Sequence, residues 1–206
     1  MAWKPCLILD DKPFDLKTSL HGELLIFELE TWDRVRIRVS SERLEEARAH
    51  GLVYAISPRG RLTAGIGAGL LARTGPQLAD ALNSELARAG RSPGTVVSTR
   101  AFQLQDVWWI WHLVALTGAN GRCESPDRVW AALGGVLDQA ENRGMSLVAM
   151  AAIGSGGGGL PAATVARGMV KAVRDYFEEH PASRLTVTFC LPNGVEREAF
   201  ERALGR

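Results

Sequence analysis

Short runs of apolar residues alternate with longer amphipathic segments along the chain. The runs 52–56 and 145–150 are almost continuously apolar, which is typical of strands buried on both faces of a sheet. In the segments 126–140 and 161–177 the apolar residues recur every three or four positions, as on one face of a helix. Further strands are predicted at 6–9, 23–29, 35–39, 95–99, 107–115 and 185–190. Strands that alternate with helices predict an α/β fold with a mixed or mostly parallel sheet.

Capping and breaking residues set the limits of the predicted helices. Ser40 and Ser41 precede a charged helix predicted at 42–50, which Gly51 ends. Similar signals place helices after Gly75-Pro76 as far as Gly90, from Ser125-Pro126 to about Gly144, and at 195–204. The sequence contains no repeat and no internal linker, so residues 1–206 are interpreted as a single domain.

A glycine tract, AAIGSGGGGLP at 151–161, lies between a predicted strand and a predicted helix. Glycine tolerates positive φ and lets a ligand approach the backbone closely. Pro161 suits the first helical position, so the free N–H groups and the positive dipole end of the helix would point at the loop. This pattern predicts an anion-binding loop. The alternative is a flexible linker, but the amphipathic helix directly after the tract argues against it.

A second glycine-rich passage, AGIGAGLL at 64–71, leads into a helical segment and indicates a second close approach of backbone to ligand. It also begins like the G-x-G-x-x-G motif, which would make the protein a dinucleotide-dependent oxidoreductase. Leu70 stands at the sixth position of that motif. The preceding strand also ends roughly eight residues too early for the tight turn that the motif needs.

Composition and charge narrow the classes of function. The 206 residues are 46% apolar, enough for a sizeable core. The 24 basic and 23 acidic residues give a net charge of +1 and are spread along the chain, so no nucleic-acid partner is predicted. The three cysteines and four histidines are scattered, which predicts reduced thiols and no metal site. Without a signal peptide or a long apolar run, a cytoplasmic protein with no membrane partner is predicted.

Several motifs together resemble the macro domain family, whose members bind ADP-ribose and related nucleotides. GSGGGGLP at 154–161 resembles the family's G-[ST]-G-x-x-G-x-P loop, and GIGAGLLARTGP at 65–76 resembles its G-V-x-G-A-I-x-x-A-A-G-P passage. GTVVST at 94–99, WHLV at 111–114 and the C-terminal segment resemble three further elements. The resemblance covers residues 52–206 and implies a three-layer α/β/α sandwich, with residues 1–51 as an elaborated N-terminal part.

The resemblance further implies that both glycine passages hold the diphosphate of ADP-ribose through backbone N–H groups. No metal or other cofactor is expected, and an ADP-ribosylated protein is a further expected partner. The residues expected to contact the ligand are Ala64, Gly65, Ile66, Gly67, Gly154, Ser155, Gly156, Gly157, Gly158, Gly159 and Leu160.

The chain also departs from the family pattern. The N-A-A-N signature, whose second asparagine contacts the distal ribose and supports hydrolysis in many members, falls on Ser57-Pro58-Arg59-Gly60. The acidic residue that some hydrolases carry falls on Gly67. The G-D-I-T aspartate, which holds the adenine amino group, would follow the strand at 24–27, where Glu28-Leu29-Glu30-Thr31 stands.

These departures favour a binding module that does not hydrolyse its ligand. Two alternatives stay open. One is an ADP-ribosyl hydrolase acting on protein-linked or small-molecule ADP-ribose, with Ser57, Arg59, Arg61 or Thr63 replacing the missing asparagine. The other is a scaffold that has lost its ligand and serves only as an interaction domain.

Overall fold

Six strands form one sheet in the computed structural model, which describes residues 36–117 and 121–206. The strands are β1 (Ile37–Ser40), β2 (Gly51–Ile56), β3 (Val96–Arg100), β4 (Trp109–Val114), β5 (Leu147–Ala151) and β6 (Thr186–Cys190). Their order across the sheet is β1-β6-β5-β2-β4-β3. Only the pair of β3 and β4 is antiparallel within the described sheet. The predicted mixed, mostly parallel sheet is confirmed.

Helices cover both faces of this sheet. They are α1 (Gly65–Thr74), α2 (Gln77–Ala89), α3 (Pro126–Asn142), α4 (Ala162–Glu179) and α5 (Gly194–Ala203). α1 and α2 pack on one face, and α3, α4 and α5 pack on the other, so the three-layer α/β/α sandwich is also confirmed. None of the helices described is long and apolar enough to cross a membrane.

The strand β2 shows why its sequence is continuously apolar. Leu52 and Tyr54 belong to the core beneath α1 and α2, whereas Val53 belongs to the core beneath α3, α4 and α5. Successive side chains of a strand point to opposite faces, and here both faces are covered by helices. All three side chains are therefore buried, with at most 2% of their surface exposed.

The helix predicted at 42–50 does not form, and this prediction is wrong. Only a 3₁₀ turn, Leu44–Glu46, is present, and the residues on either side of it are extended. Ser40 Oγ accepts a hydrogen bond from the Glu42 N–H at 3.1 Å, as a helix cap would, but the chain does not continue as a helix. Leu44 and Glu45 are adjacent and both buried. Leu44 is the one large apolar residue of the segment 42–50, so a helix there would have no apolar stripe to bury.

Several smaller differences concern the ends of elements. Pro161 precedes the first residue of α4 instead of occupying that position. Ser125 precedes α3 but its side chain makes no capping hydrogen bond. The strand predicted at 35–39 corresponds to β1 and lies beside β6, at the edge of the sheet that the described strands form, as its alternating pattern suggested. The strands predicted at 6–9 and 23–29 lie outside the described residues.

The carboxyl ends of β2 and β5 lie side by side, because the two strands are parallel neighbours. From β5 the chain passes through α4 to β6 on one side, and from β2 it passes through α1 and α2 to β3 and β4 on the other side. The two connections therefore leave the carboxyl ends of β2 and β5 in opposite directions. This is the position at which open α/β sheets bind ligands.

Candidate functional site

Backbone hydrogen bonds hold the loop between β5 and α4 in one conformation. The Leu160 N–H donates to the Gly154 carbonyl at 3.0 Å, and the Gly159 N–H donates to the Gly156 carbonyl at 3.1 Å. From outside the loop, the Cys123 N–H donates to the Gly158 carbonyl at 3.0 Å. These bonds fix the backbone conformation, so the glycine tract is not the flexible linker considered as an alternative.

The glycines of this loop serve different purposes. Gly154 and Gly159 adopt φ of 109° and 70°, and a Cβ at Gly158 would lie only 2.5 Å from the Gly154 carbonyl oxygen. The fold itself therefore requires glycine at these three positions. At Gly156 and Gly157 φ is not positive, and a Cβ would meet nothing closer than Leu116 Cδ1, at 4.0 Å from Gly157. Because the fold does not require glycine at these two positions, their bare backbone indicates that a ligand approaches there.

Five consecutive N–H groups of the loop, from Gly154 to Gly158, donate no hydrogen bond to any described residue. Two of these residues, Gly154 and Gly158, are buried. Buried backbone N–H groups are nearly always paired, so an unpaired run of them at a strand end is suited to an anionic ligand. In contrast, the N–H groups of Gly159 and Leu160 are used within the loop, so these two predicted contacts have no backbone donor to offer.

The Ser155 side chain is also engaged by the protein. Its Oγ lies 2.5 Å from Glu196 Oε1 and 3.1 Å from the Ala152 carbonyl oxygen. Glu196 is the third residue of α5, which follows β6. Since β6 lies beside β5, this contact joins two loops at neighbouring strand ends. Glu196 could not be identified from the sequence, because it is 41 residues away from Ser155 in the chain and belongs to no motif.

The second glycine passage forms the start of α1. Ala64 is the residue before the helix, and Gly65, with φ of 55°, is its first residue. The first-turn N–H groups of Gly65, Ile66 and Gly67 have no partner within the helix, because they precede its first complete turn. Gly67 itself is buried, and a Cβ there would lie 3.2 Å from Leu62. Glycine at this position is therefore needed for packing, and only its N–H group is suited to contact a ligand.

The connection from β2 to α1 carries no carboxylate between Ser57 and Ala64. It begins with a turn in which the Gly60 N–H donates to the Ser57 carbonyl at 3.0 Å. The side chains of Arg59, Arg61 and Thr63 are exposed. None of these groups is a general base at neutral pH.

Carboxylates lie instead on the other side of the glycine loop. Glu42 follows β1, and β1 pairs with β6. The pKa of Cys190, the last residue of β6, is raised to about 12, mainly by burial and further by the Glu42 and Glu45 carboxylates. Both carboxylates thus lie close to the carboxyl end of β6. The segment 28–31, which was considered for the adenine contact, lies outside the described residues.

Solved structures share this architecture. The Trypanosoma brucei macrodomain in complex with ADP-ribose is similar with a TM-score of 0.70 at 19% identity, over 92% of this chain and 93% of that chain. The Oceanobacillus iheyensis macrodomain with ADP gives 0.68 at 20% identity, over 82% and 88%. The macrodomain of Mycobacterium tuberculosis DarG gives 0.60 at 19% identity, over 76% and 98%. The fold is that of the macrodomains.

The sequence itself also assigns the family. A sequence model described as "Macro domain" matches residues 53–169, which is more than half of the chain. The chain therefore belongs to the macro domain family. No curated protein sequence matches it.

Proposed function

We propose that this macrodomain binds ADP-ribose or a related nucleoside diphosphate and does not hydrolyse it. The observation that carries the proposal is the run of N–H groups from Gly154 to Gly158, which have no partner among the described residues. These groups stand at the diverging strand ends, where backbone donors bind phosphate oxygens without a metal ion. The similar macrodomains of Trypanosoma brucei and Oceanobacillus iheyensis have been solved with ADP-ribose and with ADP, respectively.

The first turn of α1 provides the second set of donors in this proposal. The N–H groups of Gly65, Ile66 and Gly67 lie at a helix start, so the positive end of the helix dipole adds to their attraction for phosphate. Gly65 has open space where a Cβ would stand, which leaves room for a ligand beside it. We propose that one phosphate contacts this turn and that the glycine loop holds the other.

Glu42 is proposed to accept a hydrogen bond from the adenine amino group. In the resemblance to macro domains an aspartate after an early strand has this role, and Glu42 is the acidic residue that directly follows the Ser40-Ser41 end of β1. Its side chain is exposed. Glu42 follows the carboxyl end of β1, and the glycine loop follows the carboxyl end of β5, so both lie at the same end of the parallel strands. This position replaces the segment 28–31 that the sequence analysis considered.

The lack of a carboxylate from Ser57 to Ala64 supports binding without hydrolysis. In the family the distal ribose lies at this strand end, so a group that positions or activates water is needed there. Glu42 and Glu196, two of the acidic groups described near the carboxyl ends of the strands, follow β1 and β6, on the far side of β5. ADP-ribose attached to a protein side chain is a further proposed ligand of the same site.

Replacing Gly157 tests the proposal. The Gly157 backbone does not have positive φ, so Gly157→Val keeps an allowed conformation but fills the space in which the ligand would lie. We expect calorimetric titration to show ADP-ribose binding to the wild type and at least a tenfold weaker binding to the variant. Gly135→Val is the matched control, because Gly135 is exposed on α3 with open space around it.

The two variants separate a local effect from general damage to the fold. If the wild type shows no heat and no thermal shift with millimolar ADP-ribose, the ligand assignment is wrong. If Gly157→Val binds as well as the wild type, the ligand does not lie on this loop. Thermal unfolding of both variants without ligand establishes that each remains folded.

A further inference from the structure

The contact between Glu196 and Ser155 places an acidic group directly against the glycine loop. A serine hydroxyl has a single proton, so it donates fully to only one of its two neighbours. The 2.5 Å distance to Glu196 Oε1 is that of a hydrogen bond to a carboxylate, whereas the 3.1 Å distance to the Ala152 carbonyl is longer. Ser155 therefore donates to Glu196 and does not present its hydroxyl proton to a ligand.

The negative charge of Glu196 is not cancelled by a neighbouring cation. None of the ion pairs among the described residues includes Glu196. By covalent geometry the carboxylate oxygen lies within about 6–7 Å of the Ser155 N–H, one of the unpartnered donors of the loop.

We infer that Glu196 makes the site selective for diphosphates that are esterified at both ends, as in ADP-ribose, over those that end in a free phosphate, as in ADP. Each phosphate of a diphosphate diester carries one negative charge, whereas a terminal phosphate carries about 1.5 to 2 at neutral pH. The extra charge is repelled by a fixed carboxylate beside the loop. The inference rests on the proposed function, since it concerns ligands of the same loop.

The magnitude follows from the distance between the charges. We take the Glu196 carboxylate and the terminal phosphate to be about 9 Å apart, with an effective dielectric constant between that of a protein surface and that of water. One extra negative charge on the phosphate then weakens binding by roughly threefold. The repulsion therefore weakens the binding of ADP more than the binding of ADP-ribose. A role of Glu196 that only shapes the loop would change the affinity for both ligands equally.

Glu196→Gln tests this inference, because glutamine keeps an oxygen that accepts from Ser155 but removes the charge. The measured quantity is the ratio of the dissociation constant for ADP to that for ADP-ribose, by calorimetry at low ionic strength. We expect the ratio to fall about threefold in Glu196→Gln. We also expect the difference between variant and wild type to shrink in 0.5 M salt, which screens charges several ångströms apart.

Glu198→Gln is the matched control. Glu198 lies on the same helix, but its carboxylate pairs with Arg202 at 3.3 Å and is 70% exposed, so this change removes the same charge without altering the loop contact. A ratio that falls only in Glu196→Gln supports the inference. A ratio that is unchanged in Glu196→Gln, or that falls equally in Glu198→Gln, overturns it while leaving the proposed function intact. If the wild type binds neither nucleotide, the proposed function fails, and this inference fails with it.

Discussion

At the scale of single residues, His112 links two other polar side chains inside the core. It is fully buried in β4; its Nδ1 lies 2.8 Å from the Tyr54 hydroxyl and its Nε2 lies 2.9 Å from Thr99 Oγ1. Both ring nitrogens are therefore satisfied, as buried polar groups require. Burial lowers the pKa of His112 to about 3 and raises the pKa of Tyr54, so both side chains stay neutral in the folded protein.

This neutral histidine makes stability depend on pH. Between pH 6.5 and about 3 the imidazole binds a proton in the unfolded chain but not in the folded one, so the free energy of unfolding falls as the pH is lowered. The contribution is about 1.4 kcal/mol for each pH unit in that window. We expect urea unfolding at pH 6, 5 and 4 to show that the stability advantage of the wild type over His112→Gln shrinks at this rate.

Tyr54→Phe is the control for this prediction. It removes a hydrogen-bond partner of His112 Nδ1 and is expected to cost about 1–3 kcal/mol, because a buried nitrogen loses its partner. It retains the imidazole, so the pH dependence is expected to stay that of the wild type. A wild-type pH dependence in His112→Gln would show that another group is responsible.

The glycine loop shows which residue roles sequence patterns predict. The glycine tract and the position of the loop after a strand follow from composition and periodicity, since both are local properties of the chain. The roles of Gly67, Ser155 and Leu160 do not, because they depend on which side chains the fold brings next to them. Leu160 illustrates this: its side chain would lie 2.9 Å from a Cβ at Gly154, so it packs on the loop.

At the scale of secondary-structure elements, the contact between α3 and α4 supports the glycine loop. A Cβ at Gly168 of α4 would lie 2.1 Å from Trp130 Cε3 of α3, so the indole occupies the space beside the glycine. The Trp130 Nε1–H donates to the Ile153 carbonyl at 3.1 Å, directly before the loop. The Ile153 N–H in turn lies 3.1 Å from Met169 Sδ. The packing of these two helices therefore sets where the loop begins.

Opposite effects are expected from two glycine-to-alanine changes in these helices. Gly168→Ala displaces Trp130, and we expect it to lower the free energy of unfolding by about 1–3 kcal/mol, as overpacking does. Because Trp130 holds Ile153, the affinity for ADP-ribose should also fall. In Gly135→Ala the added methyl group lies in open space on the exposed side of α3. This change should raise the free energy of unfolding by about 0.5–1 kcal/mol and leave the affinity for ADP-ribose unchanged. Urea unfolding and calorimetry check both.

The sign of the change in unfolding free energy in each variant distinguishes an effect of packing from an effect of helix propensity. Alanine is the better helix former at both positions, so propensity alone predicts that both variants are stabilised. Equal stabilisation would show that Trp130 moves aside without cost and that the contact between α3 and α4 does not position the loop.

Element boundaries follow the sequence closely where the apolar pattern is long and regular. α2 and α4 each carry a regular apolar stripe, and their predicted limits lie within two residues of the observed ones. The segment 42–50 has helix-forming residues and a serine cap but no such stripe. Burial of Glu45 against Arg43 Nε, at 2.7 Å, and against Gly69 replaces the helix there. Tertiary contacts decide the conformation of a segment whose own periodicity is weak.

At the scale of the whole molecule, the strand order determines which side chains lie next to one another at the carboxyl ends of the strands. Two carboxylates near these strand ends, Glu42 and Glu196, lie on the side of β1 and β6. The connection after β2, where the family places its distal ribose, offers only neutral or basic side chains between Ser57 and Ala64. The local sequences predict each of these segments, but only the order β1-β6-β5-β2 shows that they lie on opposite sides of the glycine loop.

From this separation we expect the protein to release ADP-ribose from a mono-ADP-ribosylated protein at least a hundredfold more slowly than an active macrodomain hydrolase. Losing one group that acts only in the transition state typically costs about a hundredfold to a thousandfold in rate. Here both the asparagine signature, at Ser57-Pro58-Arg59-Gly60, and the acidic residue, at Gly67, are replaced. Binding requires only the backbone donors, so affinity is expected to persist without turnover.

The assay runs the wild type beside an active hydrolase and beside Gly157→Val. Turnover close to that of the active enzyme would contradict the binding-module interpretation, provided that Gly157→Val abolishes it and so places the reaction in this site. Arg59→Ala and Arg61→Ala would then separate two explanations. Loss of turnover in either would mean that a guanidinium of the β2–α1 connection stabilises developing negative charge. Turnover retained in both, but lost in Glu196→Gln, would mean that the carboxylate on the β6 side reaches the reacting water.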